Sequence, residues 1–191
     1  MLDGTRNLTT IMDFYELTMA AGYLEEGYED KVSVFDMFFR KIPDGGGFAI
    51  MAGLDTFIDA VEHLSFTGAD IDYLRGTGVF NEKFLEYLKN FKLHCNIWAI
   101  PEGTPIFPRE PIVTVEGPSM ECQLLETLLL VTFNHQCLVA TKANRIVRSA
   151  QGRPVMEFGA RRAQGYDAAV YGARAAYIAG CSSTSCVMAA R

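Results

Sequence analysis

Residues 153–185, "RPVMEFGARRAQGYDAAVYGARAAYIAGCSSTS", decide the fold. Apolar residues in 153–158 predict a buried strand, and the alanine-rich segment 166–180 predicts a helix. Residues 181–185 follow as a second short strand or a loop. Helix and strand alternate from about residue 120 onwards, and this order predicts parallel β/α units. In α/β barrels the turns after such strands carry the ligand-binding residues, so we expect a site in the turn after the first strand.

Two adjacent arginines, Arg161 and Arg162, lie in that turn, just after Phe158 and Gly159. Guanidinium groups stay charged and present a planar fork of donors that suits a phosphate or a carboxylate. Phe158 can lie against a flat ring, and Gly159 leaves the backbone room. Arginine pairs are more commonly solvated or ion-paired, but the F-G-x-R-R setting after a buried strand favours an anion site.

Two other polar segments give weaker signals. The run 181–185 offers the hydroxyls of Ser182 and Ser185 with backbone amides, which suit either an anion site or an ordinary turn. Arg40 precedes the glycine run "PDGGG" (43–47), which predicts a turn and lacks the spacing of a nucleotide phosphate loop. The three histidines are scattered and match no Cys–His catalytic pattern.

The charge distribution favours a small anionic ligand. The net charge of −6 argues against a nucleic-acid binder. Residues 141–191 hold eight basic and two acidic residues and carry +6, so residues 1–140 carry −12. An arginine-rich end can bind an anion, or it can form salt bridges with the acidic body, and the charges alone leave both alternatives open.

The composition predicts a globular, cytoplasmic protein with a sizeable core, since 49% of the 191 residues are hydrophobic and 21% are charged. No apolar run reaches the roughly 20 residues that a bilayer-spanning helix needs, so we expect no membrane association. The polar start "MLDGTRNLTT" lacks the apolar centre of a signal peptide. The five cysteines contain no C-x-x-C pair, which predicts free thiols and no metal site.

The first 118 residues predict a mixture of helices and strands. The predicted helices follow a 3.6-residue period: 9–28, 53–64, 68–75 and 81–90. The predicted strands alternate or lie between prolines: 31–42, 92–100 and two short strands within 101–118. Thr9 or Thr10 is the predicted cap of the first helix, and Asn81 of the fourth. Residues 120–150 predict two helices, broken near Phe133–Asn134.

The predicted fold class is therefore α/β. A mixed α+β flanking domain occupies residues 1–118, and some of its helices can pack on the barrel. Residues 119–191 form a helical region and the first β/α units of an incomplete TIM-like barrel, because one or two such units cannot close one. We therefore expect the sequence to be a fragment of a longer protein, or to lack a partner surface.

Four stretches together resemble the nicotinate phosphoribosyltransferase family: "DFYELTMA" (13–20), "FFRKIPDGGGFAIMAGL" (38–54), "PEGTPIFPREPIVTVEGP" (101–118) and "EFGARRAQG" (157–165). They occur in order and at matching spacing, and the likeness covers essentially the whole chain as the amino-terminal part of a longer family member. The resemblance implies an enzyme that joins nicotinate to phosphoribosyl pyrophosphate. The products would be nicotinate mononucleotide and pyrophosphate, in NAD salvage, with Mg²⁺ and coupled ATP hydrolysis.

The resemblance also implies an α/β barrel with a flanking domain, in a head-to-tail homodimer with sites at the interface. Tyr15 matches a tyrosine that stacks on the pyridine ring from the neighbouring subunit, and Phe158 matches the other wall of that site. Arg161 matches a catalytic arginine at the pyrophosphate and the ring. Arg40 matches a phosphate-contacting arginine offered across the interface, whereas Arg162 receives no separate role.

Two alternatives to a nicotinate enzyme stay open. Nicotinamide-using relatives place an aspartate near "GCSSTS" (180–185), where this sequence offers Ser182, Ser185 and other hydroxyls. The missing carboxylate favours nicotinate, and a nicotinamide or quinolinate phosphoribosyltransferase is the first alternative. The family's phosphorylatable histidine is expected beyond Arg191, so a non-catalytic ligand-binding or oligomerisation fragment is the second.

Overall fold

The computed structural model describes residues 6–190. Within them the chain forms seven α-helices: α1 (Phe14–Glu25), α2 (Leu54–Glu62), α3 (Gly68–Gly76), α4 (Glu82–Lys89), α5 (Ser119–Gln123), α6 (Glu126–Ser149) and α7 (Tyr166–Ile178). The same residues form seven strands: β1 (Val32–Met37), β2 (Ala49–Ile50), β3 (Asn96–Ala99), β4 (Pro105–Ile106), β5 (Val113–Pro118), β6 (Met156–Glu157) and β7 (Ser183–Thr184). The expected mixture of helices and strands is confirmed.

The central sheet is antiparallel, with β5 between β1 and β3. Along β5 the side chains of Val113 and Val115 are buried, whereas the alternate residues are partly exposed. This alternation follows from a sheet that has one face covered and one face open. The covered face packs in the same core as Phe57 of α2 and Phe133 of α6, whose ring centroids lie 5.5 Å apart.

The first strand is shorter than the predicted range 31–42, because it ends at Met37. Met37 is paired with Val113, which is the first residue of β5, so the ladder has no further partner. The backbone after Met37 still bonds to the segment before β5, because the Phe39 carbonyl accepts the Arg109 N–H at 2.8 Å, but the two segments do not form a regular ladder. Strand length was therefore set by the partner strand.

A second core lies among α1, α3, α4 and α5, where it includes Leu17, Phe84 and Met120. The prediction that Thr9 or Thr10 caps the first helix is wrong, since α1 begins at Phe14. Thr9 is buried instead, and its hydroxyl accepts the Ser65 N–H at 2.8 Å. The predicted cap of α4 is confirmed: Asn81 Oδ1 accepts the Phe84 N–H at 2.9 Å.

The predicted break near Phe133–Asn134 is also wrong, because α6 runs without interruption from Glu126 to Ser149. The chain turns earlier, between α5 and α6, at Leu124 and Leu125. Leu124 packs in the core around α1 and α4, and Leu125 packs in the core beneath the sheet. The turn lets consecutive leucines pack in two different cores. Because this packing is tertiary, the spacing of apolar residues along the chain could not predict where the turn lies.

The carboxyl-terminal part forms one parallel β/α/β unit. Strands β6 and β7 pair in parallel, with Glu157 opposite Thr184, and α7 connects them. The α6–α7 contact is made by small side chains, among them Ala140, Ala143 and Ala175. Residues 181–185 therefore include a short strand, as one alternative predicted. The described residues do not close a barrel, so the barrel and the domain boundary at residue 118 stay predictions.

The stretch Ser119–Ser149 is long and apolar enough to cross a membrane by length and composition alone, with a mean hydropathy of 1.2 in its most apolar window. Half of that window is buried inside the fold. Core helices of globular proteins pass the same test, and α6 packs against β2, α2 and α7. The expectation of no membrane association stays a prediction.

Candidate functional site

The candidate site lies where the two parallel strands end. Because β6 and β7 run in the same direction, the segments that follow Glu157 and Thr184 leave the same edge of the sheet. The segment after β6 makes a 3₁₀ turn over Ala160–Arg162, closed by a bond of 2.8 Å from the Arg162 N–H to the Gly159 carbonyl. The arginine pair and the hydroxyl-rich run therefore meet at one edge, as the sequence predicts for a β/α unit.

A cavity of about 670 Å³ opens between this turn, α6 and the first part of α7. Its walls include Glu157, Gly159 and Arg162 from the turn, and His135 from α6. A space of this size suits a small-molecule ligand. The cavity carries a cation and a carboxylate on one wall, and apolar side chains of α6 on another.

The two arginines occupy different positions. Both are exposed on the same turn, but Arg162 lines the cavity and Arg161 is not among the residues of its wall. Neither forms an ion pair within residues 6–190. Phe158 is 55% exposed beside them. The roles expected for Arg161 and Phe158 stay predictions, and Arg162, which received no role, is the arginine at the cavity.

The hydroxyl-rich run is held against β6 by its backbone. Ser182 donates both its N–H and its hydroxyl to the Val155 carbonyl, at 2.8 and 3.0 Å. The Ser185 N–H donates to the Glu157 carbonyl at 2.9 Å. The Ser182 hydroxyl thus has a structural partner, while the Ser185 side chain is exposed at the edge where the arginines lie.

Tyr15 lies on α1, outside the wall of the cavity that Arg162 lines. The side chain is 43% exposed, and a hydrogen bond to the Glu126 carboxylate raises the pKa of Tyr15 to about 12, with burial adding to the shift. Arg40 is exposed after β1 and has no ion-pair partner in the part of the chain that the structure describes. Both residues are thus available to a partner, as the resemblance implies, and their roles stay predictions.

Salt bridges between the acidic and basic halves account for three of the other cations. Lys142 and Arg145 lie 3.8 and 3.2 Å from Asp44. Arg174 lies 2.7 Å from Glu102 and 2.8 Å from Asp55. The alternative of ion pairing between the halves is therefore confirmed for these residues, and it does not extend to the arginine pair.

The glycine run 43–47 has a structural role. Arg145 donates to the Pro43 carbonyl at 3.0 Å, and a Cβ atom on Gly46 would lie 1.9 Å from its guanidinium nitrogen. The run therefore makes room for an arginine of α6.

Sequence reasoning missed two residues of the cavity wall. The sequence indicated no role for Glu157 in the site, and both its carboxylate oxygens accept hydrogen bonds, from the Gly159 N–H and from the Thr184 hydroxyl. His135 Nε2 lies 3.2 Å from the Ala168 carbonyl of α7. The signal for His135 was the helical spacing of Val131, His135 and Leu138, which places them on one face of α6.

The described residues do not form a magnesium site of their own. Residues 6–190 contain no group of three histidine, cysteine, aspartate or glutamate side chains that could hold a metal ion. The cavity's own carboxylate, Glu157, already accepts two hydrogen bonds. A metal ion at this edge would therefore need oxygen ligands from a bound substrate.

Comparison with known proteins identifies related chains. Residues 10–134 match the model of the nicotinate phosphoribosyltransferase (NAPRTase) N-terminal domain. A nicotinate phosphoribosyltransferase of Mycobacterium tuberculosis is 45% identical over 179 residues, and one of Bacillus subtilis is 41% identical over 185 residues. The matches cover 94% and 97% of this chain, and 38% of each relative.

Among solved structures, human nicotinic acid phosphoribosyltransferase is similar with a TM-score of 0.87 and 35% identity. The match covers 93% of this chain and 36% of that one. The chain thus spans less than two fifths of the length of each of these three relatives.

Proposed function

The chain belongs to the nicotinate phosphoribosyltransferase family, and on that premise we propose that the whole protein joins nicotinate to phosphoribosyl pyrophosphate. The products are nicotinate mononucleotide and pyrophosphate. The proposal rests on one observation in a chain of this family: an arginine turn with no ion-pair partner within residues 6–190 meets a hydroxyl-rich run at the edge beside a cavity.

The chemistry needs the residue types present at this edge. The pyridine nitrogen attacks the anomeric carbon as pyrophosphate leaves, so negative charge grows on the leaving group. The guanidinium groups of Arg161 and Arg162 stabilise that charge, because they stay protonated and have no ion-pair partner among the described residues. Phe158 and a partner subunit's Tyr15 orient the flat ring by stacking.

The choice of nicotinate over nicotinamide rests on the hydroxyl-rich run. Ser185 presents an exposed side chain where a carboxylate would repel an acidic substrate. Its backbone bond to Glu157 supports a fixed position for this residue. A hydroxyl can donate to the substrate carboxylate, whereas an aspartate would suit an amide.

The functional unit that we propose is a cytoplasmic homodimer. Phe35 and Leu130 line one surface pocket with Glu126, the hydrogen-bond partner of Tyr15, and Met19 lies one helical turn from Tyr15. All four apolar side chains, Tyr15 included, are at least two fifths exposed, and exposed apolar clusters mark interaction surfaces. The five free cysteines support a reducing compartment. Arg40 would contact substrate phosphate across the dimer interface, as the family resemblance implies.

Magnesium and ATP are proposed on the family resemblance. Since residues 6–190 offer no metal cage, Mg²⁺ would enter with the phosphate oxygens of phosphoribosyl pyrophosphate. Hydrolysis of ATP would be coupled to the reaction through parts of the protein other than the edge described here.

The test is turnover by the full-length protein with phosphoribosyl pyrophosphate and nicotinate, nicotinamide or quinolinate in parallel, with and without ATP. Product nucleotide and pyrophosphate are quantified. We expect nicotinate to have the highest kcat/KM. Faster turnover of nicotinamide or quinolinate would overturn the substrate assignment, and no turnover of any of the three would favour a non-catalytic module.

A further inference from the structure

Glu157 joins the two segments that form the candidate site. It is the last residue of β6, and its carboxylate accepts the Gly159 N–H on one side and the Thr184 hydroxyl at 2.5 Å on the other. We propose that Glu157 is a positioning residue, which fixes the arginine turn and the hydroxyl-rich run relative to each other. The inference rests on the proposed function, because it assigns Glu157 its task within that site.

Both oxygens of the carboxylate are engaged in the same chain of hydrogen bonds. Thr184 Oγ1 donates to one of them and itself accepts the Cys186 N–H at 3.0 Å. The other oxygen accepts from Gly159, at the start of the 3₁₀ turn. A continuous path therefore runs from the segment after β7 to the segment after β6, through one side chain.

The sequence of the turn fits this arrangement. A Cβ atom on Gly159 would lie 2.8 Å from Glu157 Oε1, closer than real Cβ atoms come to another atom. Glycine at this position is thus what allows the carboxylate to reach the N–H. The Arg162 N–H in turn donates to the Gly159 carbonyl at 2.8 Å, so displacement of the carboxylate displaces Arg162.

The backbone of Glu157 supports the second segment in the same way. Its carbonyl accepts the Ser185 N–H at 2.9 Å. One residue is thereby bonded to both candidate anion-binding segments, and it lines the same cavity as Arg162.

A carboxylate in the wall of an anion site needs a structural reason, since like charges oppose binding. Hydrogen bonds from a backbone amide and a hydroxyl supply that reason and stabilise the charge. Each oxygen of Glu157 is bonded to one of the two segments, so a shift of the carboxylate towards a ligand would weaken those bonds. Glu157 thus acts by orienting the arginine turn and the hydroxyl-rich run.

The test compares Glu157→Gln with Glu157→Ala in the full-length protein. Glutamine can keep both contacts, because its oxygen accepts from Gly159 and its amide donates to the Thr184 hydroxyl. We expect Glu157→Gln to retain kcat/KM within about 10-fold, and Glu157→Ala to lose about 100-fold, the cost of a displacement of about 1 Å in a site. Equal losses of kcat/KM in the two variants would overturn the proposal, because that result is expected of a catalytic base or a metal ligand. Wild-type activity of Glu157→Ala would overturn it too.

Two further measurements separate positioning from loss of folded protein. Misplaced loops raise the KM for phosphoribosyl pyrophosphate, whereas a smaller folded fraction lowers kcat and leaves KM unchanged. Thr67→Ala is the matched control, because it removes the N-cap bond to the Asp70 N–H in α3, away from the cavity. It should lower stability with no change in KM.

Thr184→Val keeps the proposal testable if Glu157→Ala does not fold. This variant removes one of the two hydrogen bonds to the carboxylate, and we expect a loss of about 10-fold in kcat/KM with a raised KM for phosphoribosyl pyrophosphate. Wild-type kinetic constants in Thr184→Val would contradict the role of Glu157. If the wild-type protein turns over none of the three pyridine substrates, the proposed function fails on its own, and pyrophosphate affinity measured by calorimetry then tests Glu157 with the same variants.

Discussion

Arg174 of α7 and Glu102 form a two-point ion pair, with Nη1–Oε1 and Nη2–Oε2 distances of 2.8 and 2.7 Å. Glu102 also accepts the N–H groups of Gly53 and Leu54, at 2.5 and 2.9 Å, at the start of α2. One carboxylate thus joins the helix of the β/α/β unit to the first helix beneath the sheet. Arg174 therefore stabilises the fold and is not available to bind a ligand.

The first prediction concerns this ion pair. Arg174→Ala should lower the free energy of unfolding by about 2 kcal/mol, because it leaves a half-buried carboxylate without its cation. Urea denaturation of the variant measures the loss. Arg153→Ala is the control, because Arg153 is exposed and its side chain bonds, among the described residues, only to the Ala150 carbonyl at 3.4 Å. Equal stability of the two variants would contradict the role given to Arg174.

The same pair predicts a dependence of stability on pH. Burial tends to raise the pKa of Glu102, but the Arg174 and backbone N–H bonds outweigh it and lower the pKa. The contribution to stability is therefore present above the unfolded value of about 4.3 and is lost as the pH falls through the folded value. In Arg174→Ala the free energy of unfolding should fall less steeply as the pH is lowered through this range. The same steepness as in the wild type would contradict the assignment.

The second prediction concerns Glu16, whose side chain is 0% exposed. Its Oε1 accepts from the Asp13 N–H and from Thr127, whereas Oε2 has no partner among the described residues. Burial raises the pKa of Glu16, against the hydrogen bonds that lower it. The ionised form therefore destabilises the fold as the pH rises above the unfolded value of about 4.3.

Glu16→Gln should keep the Oε1 contacts and remove the buried charge. We expect the variant to be at least as stable as wild type at pH 8, and the difference to shrink towards pH 4. Urea titrations across this range measure it, with the exposed Glu62→Gln as control. A variant that is less stable than wild type mainly at pH 8 would show that the carboxylate is stabilising.

The third prediction concerns the arginine pair. Arg161→Ala and Arg162→Ala should each lower kcat/KM by about 100-fold in the full-length protein, with little change in stability, because each removes a donor to the leaving pyrophosphate. Arg162→Ala should also raise the KM for phosphoribosyl pyrophosphate, since Arg162 lines the cavity. Arg153→Ala serves as the surface control. Unchanged kinetics in Arg161→Ala would remove the catalytic role that the family resemblance gives it.

The fourth prediction tests whether Tyr15 acts in the neighbouring subunit. Tyr15→Ala and Arg161→Ala should each be nearly inactive, yet subunits unfolded and refolded as a 1:1 mixture should recover about a quarter of wild-type activity, since half of the dimers are mixed and each has one intact site. Tyr15→Phe should retain activity, because stacking needs only the ring. No recovery in the mixture would place Tyr15 in its own subunit's site or outside any site.

Several features followed from the sequence alone. The parallel unit, the amphipathic helices α2 and α4 and the glycine turn were predicted, because period and turn chemistry are properties of neighbouring residues. The family was also predicted from the sequence, by four motifs that occur in order along the chain. Predicted element ends were less accurate, as β1 shows, because its last pair is set by Val113 in another strand.

Only the tertiary structure shows which of the basic residues form ion pairs. Arg145, Arg162 and Arg174 are chemically the same group, and their spacing along the chain does not separate them. Folding brings Glu102 to Arg174 across 72 residues and Asp44 to Arg145 across 101. Arg162 forms no ion pair among the described residues, although Glu157 lies in the same cavity wall. Periodicity is local, whereas ion pairing depends on distance in space, and this is why the sequence determined the elements and only the fold decided which arginines stay available to a ligand.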